Sequence, residues 1–343
     1  MTDETQRGGP AHSQAPDAPA RRRLIGGLLA APLAAVIPRM AYADVFPSQP
    51  LRLIVPFPAG GSSDILSRTA AVALSAELGR PIIVENRGGA GGNIAADYVA
   101  HSAADGYTLL LAGPAVMAIN PALYAHVSYD AAAFEYVGML GDNANVLVSN
   151  TSVLPARNLA ELVAAAKAQP GKITFGSNGI GSLSHLSAEL FSSAAGVRFL
   201  HVPYRGAAPL STDLLGGRID FCVTGSTLAA QLVKQGPLRA LAVTTPQRIA
   251  QLPDVPTFVE AGYPSLNIPS WWALVTTPGT PAPVLARLRQ ACAAATATPA
   301  YQTALARQAT LPLQLKPEAA PAFFASERAK WAAAVKSSGA TAS

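Results

Sequence analysis

From residue 51 the chain alternates short apolar runs with longer segments in which apolar residues recur every three or four positions. Residues 51–55, 82–84 and 108–112 read as buried strands. Between them 64–78, closed by Gly79, and 94–100 read as helices. The pattern resumes after residue 145. Asn158 followed by Glu161 is a capping-box spacing that opens a helix to Ala168, and Pro170-Gly171 stops it. Strand 173–175, helix 183–194, strand 199–202, helix 209–215, strand 219–223, helix 227–234 and strand 240–243 follow. Strands alternating with helices predict an α/β architecture, its mostly parallel sheets flanked by crossover helices.

Residues 253–269 are rich in proline and give way to a strand-like run at 271–276, while 283–334 is alanine-rich and mainly helical. Crossings near 140–148 and 265–276 divide the chain into two lobes. The first is discontinuous, 44–145 plus 270–343, and the second is 146–269, with a hinged cleft between them. A single core stops growing near this length, which agrees with two.

Composition adds a compartment. Arg21-Arg22-Arg23 precede a 14-residue apolar stretch, 24–37, and the small-residue sequence Ala41-Tyr42-Ala43. Residues 1–43 therefore read as an export signal, twin-arginine-like with an ordinary Sec signal as the alternative, cleaved after Ala43 to leave a periplasmic protein. The stretch is short of the about 20 residues that span a bilayer. Cleavage would remove five Arg and three acids from 25 basic and 20 acidic residues, leaving a net +3. No basic cluster interleaved with aromatics remains, which argues against a nucleic-acid partner. Cys222 and Cys292 could pair after export or stay as two buried thiols.

The chemistry lies in the loops. Residues 56–64, 86–93, 176–182 and 202–207 are glycine- and serine-rich, and each joins a strand to a helix. Unpaired amides and the positive end of a helix dipole make such turns anion sites. In the first loop Gly60, Gly61 and Ser62 offer amides, Ser62 and Ser63 hydroxyls, and Asp64 a cap for the following helix. The third supplies Asn178, Gly181, Ser182, Ser184 and His185. In the fourth, Tyr204, Arg205 and Gly206 add a hydroxyl and a guanidinium that either forks onto a carboxylate or lies solvated on the rim. Thr224 and Ser226 close a further turn. Trp271 and Trp272 read as packing, with one a possible wall of the cleft.

Enzyme signatures are absent. There is no G-x-S-x-G, H-E-x-x-H or Walker sequence, none of the six lysines lies three residues after a serine, and the histidines lack metal-ligand spacing. G-x-G-x-x-G fails at Ile94. Ser184 and His185 are adjacent, so on a helix they point about 100° apart and pair poorly for nucleophilic catalysis. The expectation is binding without catalytic residues, metal or cofactor. An exported hydrolase using Ser184 or Ser63 with His185 is the alternative class.

Many motifs occur together in order: Pro56-Phe57-Pro58-Ala59-Gly60-Gly61 with Asp64, Glu85-Asn86-Arg87 with Gly89-Ala90-Gly91-Gly92-Asn93, Asp105-Gly106-Tyr107, Ser184-His185-Leu186 with Glu189, His201-Val202-Pro203-Tyr204-Arg205-Gly206, Asp213-Leu214-Leu215-Gly216-Gly217 and Leu252-Pro253-Asp254-Val255-Pro256-Thr257 with Glu260-Ala261-Gly262-Tyr263-Pro264. From about 48 to 335 the chain thereby resembles the Bug-type (Bordetella uptake gene) solute receptors of tripartite tricarboxylate transporters. Gly88 departs from the proline usual in that family. The resemblance implies a two-lobed periplasmic-binding-protein fold of type II with two crossover strands. It implies a ligand carboxylate held through backbone groups and ordered water by the loops at 57–64, which include Phe57 and Ala59, and at 176–185. Its partners would be a small organic acid or acidic amino acid and the membrane permease subunits, or else a membrane sensor.

Overall fold

The computed structural model describes residues 46–268 and 270–342, so the export-signal reading of 1–43 lies outside the described residues. In chain order the strands are β1 (Leu51–Val55), β2 (Ile82–Asn86), β3 (Thr108–Ala112), β4 (Glu135–Asn143), β5 (Asn145–Asn150), β6 (Thr174–Ser177), β7 (Leu200–Pro203), β8 (Phe221–Gly225), β9 (Leu238–Val243), β10 (Ser270–Thr276) and β11 (Thr310–Leu311). The helices are α1 (Ser62–Leu78), α2 (Asn93–Ala100), α3 (Asn120–Leu123), α4 (Leu159–Ala168), α5 (Leu183–Ala195), α6 (Ala207–Leu215), α7 (Ser226–Leu232), α8 (Ala282–Ala297), α9 (Pro299–Arg307) and α10 (Ala320–Ser338). The capping box forms as its spacing predicts: Asn158 Oδ1 accepts from the Glu161 amide at 2.9 Å, and α4 follows.

Two sheets result, in the orders β11-β4-β10-β3-β1-β2 and β7-β6-β8-β5-β9. They share one plan. In the first, β1, β2 and β3 are parallel and β10 runs against both β3 and β4; in the second, β6, β7 and β8 are parallel and β5 runs against both β8 and β9. The sheets are therefore mixed rather than simply parallel. The reversed strand in each is the one that arrives from the other sheet, since β5 follows β4 with only Ala144 between them and β10 is reached after β9.

The two crossings are pinned together by hydrogen bonds. The Thr244 amide donates to Asn145 O at 2.9 Å, the Asn145 amide to Thr244 Oγ1 at 3.1 Å, and the Ile268 amide to Thr244 O at 3.0 Å. A third tie comes from the tail, which is not helical throughout. Ala309, at φ 53°, turns the chain after α9 into β11, which pairs with β4. Gln308 and Ala309 present carbonyls to Thr227 Oγ1 at 3.2 Å and Ser226 Oγ at 3.3 Å, so this segment touches both sheets.

Helix α10 spans both cores. Its first half buries Ala320 and Phe324 with Ile54, Leu110 and Trp271, and its second half buries Trp331, Ala334 and Val335 with Phe175, Phe191 and Phe221. Between the halves sits Glu327, 5% exposed. Its Oε2 accepts from the indoles of Trp271 at 2.8 Å and Trp331 at 3.2 Å, and its other oxygen meets the Lys330 ammonium. A buried carboxylate bonded this way locks β10 to α10, and removing it strands two indole donors. Glu327→Leu should therefore lower unfolding stability by about 3 kcal/mol in urea titration, and Glu327→Gln, which keeps an acceptor, by clearly less. Equal stability of Glu327→Leu and the wild type would contradict this.

Candidate functional site

The β6–α5 loop is braced by its own side chains. Ser182 caps α5, its Oγ accepting from the His185 amide at 3.3 Å and donating to Gly179 O at 2.6 Å. The Asn178 amide donates to Ser184 Oγ at 3.0 Å, the Gly179 amide to Ser177 Oγ at 3.2 Å, and the Gly181 amide to His185 Nδ1 at 3.1 Å. At the start of α5 the amides of Leu183 and Ser184 have no intrahelical acceptor, as the geometry of a helix terminus requires. The loop holds the amides of Asn178, Gly179, Gly181 and Ser182 internally, while that of Ile180 has no partner among the described residues and the first amides of α5 have the helix dipole behind them.

Because His185 Nδ1 accepts a hydrogen bond, its ring carries the proton on Nε2 and is neutral. The ring is 3% exposed and stacks on His201 at 3.9 Å with 10° between planes, with Phe175 beyond. Burial, and then the neighbouring His201, pushes the His185 pKa down to about 4. Burial also lowers His201 and raises Glu189, whose Oε1 lies 3.8 Å from His185 Nε2, longer than a hydrogen bond.

In the first sheet's loop the helix cap is Gly61, not Asp64. Asp64 lies in the first turn of α1 and reaches back, Oδ2 accepting from the Gly60 amide at 2.9 Å and Arg68 Nε at 3.0 Å, while Oδ1 accepts from Asn86 Nδ2 at 3.0 Å. Asn86 Nδ2 also bonds Phe57 O at 3.0 Å, so Asp64 braces the loop against the end of β2. The Arg68 hydrogen bond, followed by the Gly60 amide, holds its carboxyl down to about 2.

Between these loops lies a cavity of about 480 Å³. Phe57, Gly91, the 113–116 turn, Asn120, Leu123 and Tyr124 line it from the first sheet's side, residues 178–183 from the second's, and Ser270 and Trp272 from β10. It sits at the carboxyl ends of β1, β2, β3 and β6, where open α/β sheets bind ligands. The two sides touch closely at Gly181. At φ 74°, it lies so near the Leu123 side chain that an added Cβ would overlap it.

Residues 66–340 match the tripartite tricarboxylate transporter family receptor. The chain belongs to that family. The Bordetella pertussis protein BugT is 38% identical over 300 residues, covering 87% of this chain and 92% of its own length. Solved structures agree. A Rhodopseudomonas palustris protein with adipate superposes with a TM-score of 0.74 at 34% identity, covering 86% of this chain and 99% of its own. MatC from the same species, with bound malate, gives 0.71 at 29%, covering 84% and 100%. The fold of this family receptor is that of the two-lobed periplasmic binding proteins.

The cavity gathers only part of the expected residue set of the receptor. Phe57, Asn178, Gly181 and Ser182 line it, and Trp272 is a wall. Ala59, Gly60, Gly61 and Ser62 are exposed outside the lining, and Ser63 and Asp64 are buried in α1. His185 stands behind its loop as an acceptor. Tyr204 turns its hydroxyl onto Asp213 Oδ2 at 2.9 Å; Arg205 is exposed beyond the lining, next to Gly206, which opens α6. Thr224 pairs with Val146 inside the second sheet, and Ser226 bonds Ala144 O and Ala309 O at the crossing. Outside the expected set are Gly91, the 113–116 turn, Asn120, Leu123, Tyr124 and Ser270, together with Gly179, Ile180 and Leu183, which entered only as part of their loop. Gly113-Pro114 directly after β3 was the available signal, a third strand-to-helix turn obscured by the π-helical turn Ala115–Ile119.

The neutral His185 has a consequence for acid stability. The unfolded chain gains the proton near the ordinary 6.5 and the folded one only near about 4, so the imidazole's contribution is complete above 6.5 and is lost as pH falls through that window. The difference amounts to about 3 kcal/mol. Asp142, raised to about 7 by burial, works in the opposite direction over the same range. The unfolding free energies of the wild type and His185→Asn should therefore be compared across pH. Their difference should shrink between pH 6.5 and 4, and a constant difference would refute the neutral-acceptor assignment.

Proposed function

We propose that this chain is the exported receptor of a tripartite tricarboxylate-type transporter, capturing one small carboxylate-containing molecule in its cavity and delivering it to the membrane permease subunits. Residues 1–43 serve as the export signal, cleaved after Ala43. The periplasmic remainder closes its lobes, 44–145 plus 270–343 and 146–269, over the ligand. Among the described residues no helix is long and apolar enough to cross a membrane, which fits that reading.

The observation that carries the proposal is the cavity itself, flanked by loops from both sheets and lined by Ile180 and Leu183, whose amides have no partner among the described residues. Adipate and malate, bound by relatives of the same fold, support an organic acid as the ligand. The role is capture rather than turnover. Ser184 Oγ accepts from Asn178 and His185 Nδ1 from Gly181, so the two side chains that a hydrolase would couple have separate partners. Metal and cofactor play no part in this reading.

Of the three tryptophans, Trp271 and Trp331 are fully buried and Trp272 lines the cavity, so ligand should register in the intrinsic fluorescence. Titration with a panel of mono-, di- and tricarboxylates should give a saturable change with at least one acid, which is recovered chemically unaltered. Silence of the folded protein across the panel, or turnover abolished by His185→Ala, would overturn the proposal.

A further inference from the structure

The cavity has a chemical bias that narrows its occupant. No side chain lining it, among the described residues, is charged. Charged side chains of the adjoining loops have partners of their own or lie outside the lining. Asp64 is bonded to Gly60, Arg68 and Asn86, and Arg68 holds Asp64 and Asn86 from a half-exposed position. His185 presents only an acceptor to its loop, and Arg205 is exposed outside the lining. An α-helix N-terminus is worth roughly half an elementary charge, so the amides of α5 suit one carboxylate. A second or third carboxylate drawn into the same space would be desolvated with no cation to meet it.

The rest of the wall is apolar. Phe57 and Trp272 meet edge to face, with centroids 5.9 Å apart and planes at 86°, and form a corner. Leu123 and Ile180 line the same cavity and extend its apolar surface.

We propose that the cavity takes a monocarboxylic acid with an apolar, ring-bearing body: the carboxylate on the α5 amides and the ring in the Phe57–Trp272 corner. This rests on the receptor reading above. A citrate-like or hydroxy-diacid ligand would leave the aromatic corner unfilled and its extra charge unmatched.

Calorimetry on the full chain at about 0.15 M salt, with benzoate and cyclohexanecarboxylate against malate and citrate, separates the possibilities. The ring acids should bind at least about tenfold more tightly than malate or citrate. Trp272→Ala and Phe57→Ala should each weaken ring-acid binding by about tenfold and change any malate binding by less than roughly threefold. Malate or citrate binding more tightly than both ring acids to the unmutated chain would overturn the proposal and leave the receptor reading standing, a result independent of whether the variants fold. Equal weakening of all ligands by both folded variants would likewise overturn it. Failure of all four acids to bind would overturn this proposal and count against carboxylate capture itself.

Discussion

Moving a carboxylate from water into a cavity without a cationic side chain is costly unless hydrogen-bond donors already point at it. On the proposed reading, that constraint accounts for the self-bonded β6–α5 loop. Ser177, Ser184, His185 and the Gly179 carbonyl take the amides of Gly179, Asn178, Gly181 and Ser182, which fixes the turn and leaves the amides of Ile180 and Leu183, unpaired among the described residues, beside the cavity. Neutral His185 belongs to the same device. As an acceptor it holds Gly181, and Gly181 is where the loop touches Leu123 across the cavity. The aromatic stack of Phe175, His201 and His185 supports the ring from behind, where burial outweighs any tendency to protonate.

The two sheets can cooperate on one ligand because of how the chain crosses between them. Each sheet has a reversed strand contributed by a crossing, and the crossings are hydrogen-bonded to one another through Asn145 and Thr244. The β11 segment and α10 add contacts to both sides, with Glu327 bonded at the centre of α10. The crossing strand β10 thereby carries Ser270 and Trp272 into the cavity wall.

Much of this could be read from residue order, because buried parallel strands are continuous apolar runs and glycine or Asn/Glu caps mark helix ends. The capping box at Asn158 and the strands at 51–55 and 108–112 formed where the pattern placed them. The segment 115–143 was opaque for a physical reason. β4 carries glycines and acidic residues that blur strand alternation, and the π-helical turn shifts the period that would mark a helix. Spacing marked strand-to-helix loops, of which Phe57, Gly91 and residues 178–183 reach the cavity and 202–207 does not, and it could not show which polar groups were free. Ser226 and Tyr204 looked like ligand donors, yet a carbonyl at the crossing and the Asp213 carboxylate take their protons. Hydrogen bonds made within the protein depend on contacts between distant segments, which no local pattern encodes.

The central claim is that amides, not guanidinium groups, hold the charged end of the ligand. Nitrogen-15 correlation spectra recorded while the protein is titrated with its tightest-binding acid test it most directly. The account predicts that the Ile180 and Leu183 amide protons move strongly downfield while the Arg68 and Arg205 side-chain signals stay nearly fixed. Large guanidinium shifts with those two amides unmoved would contradict it.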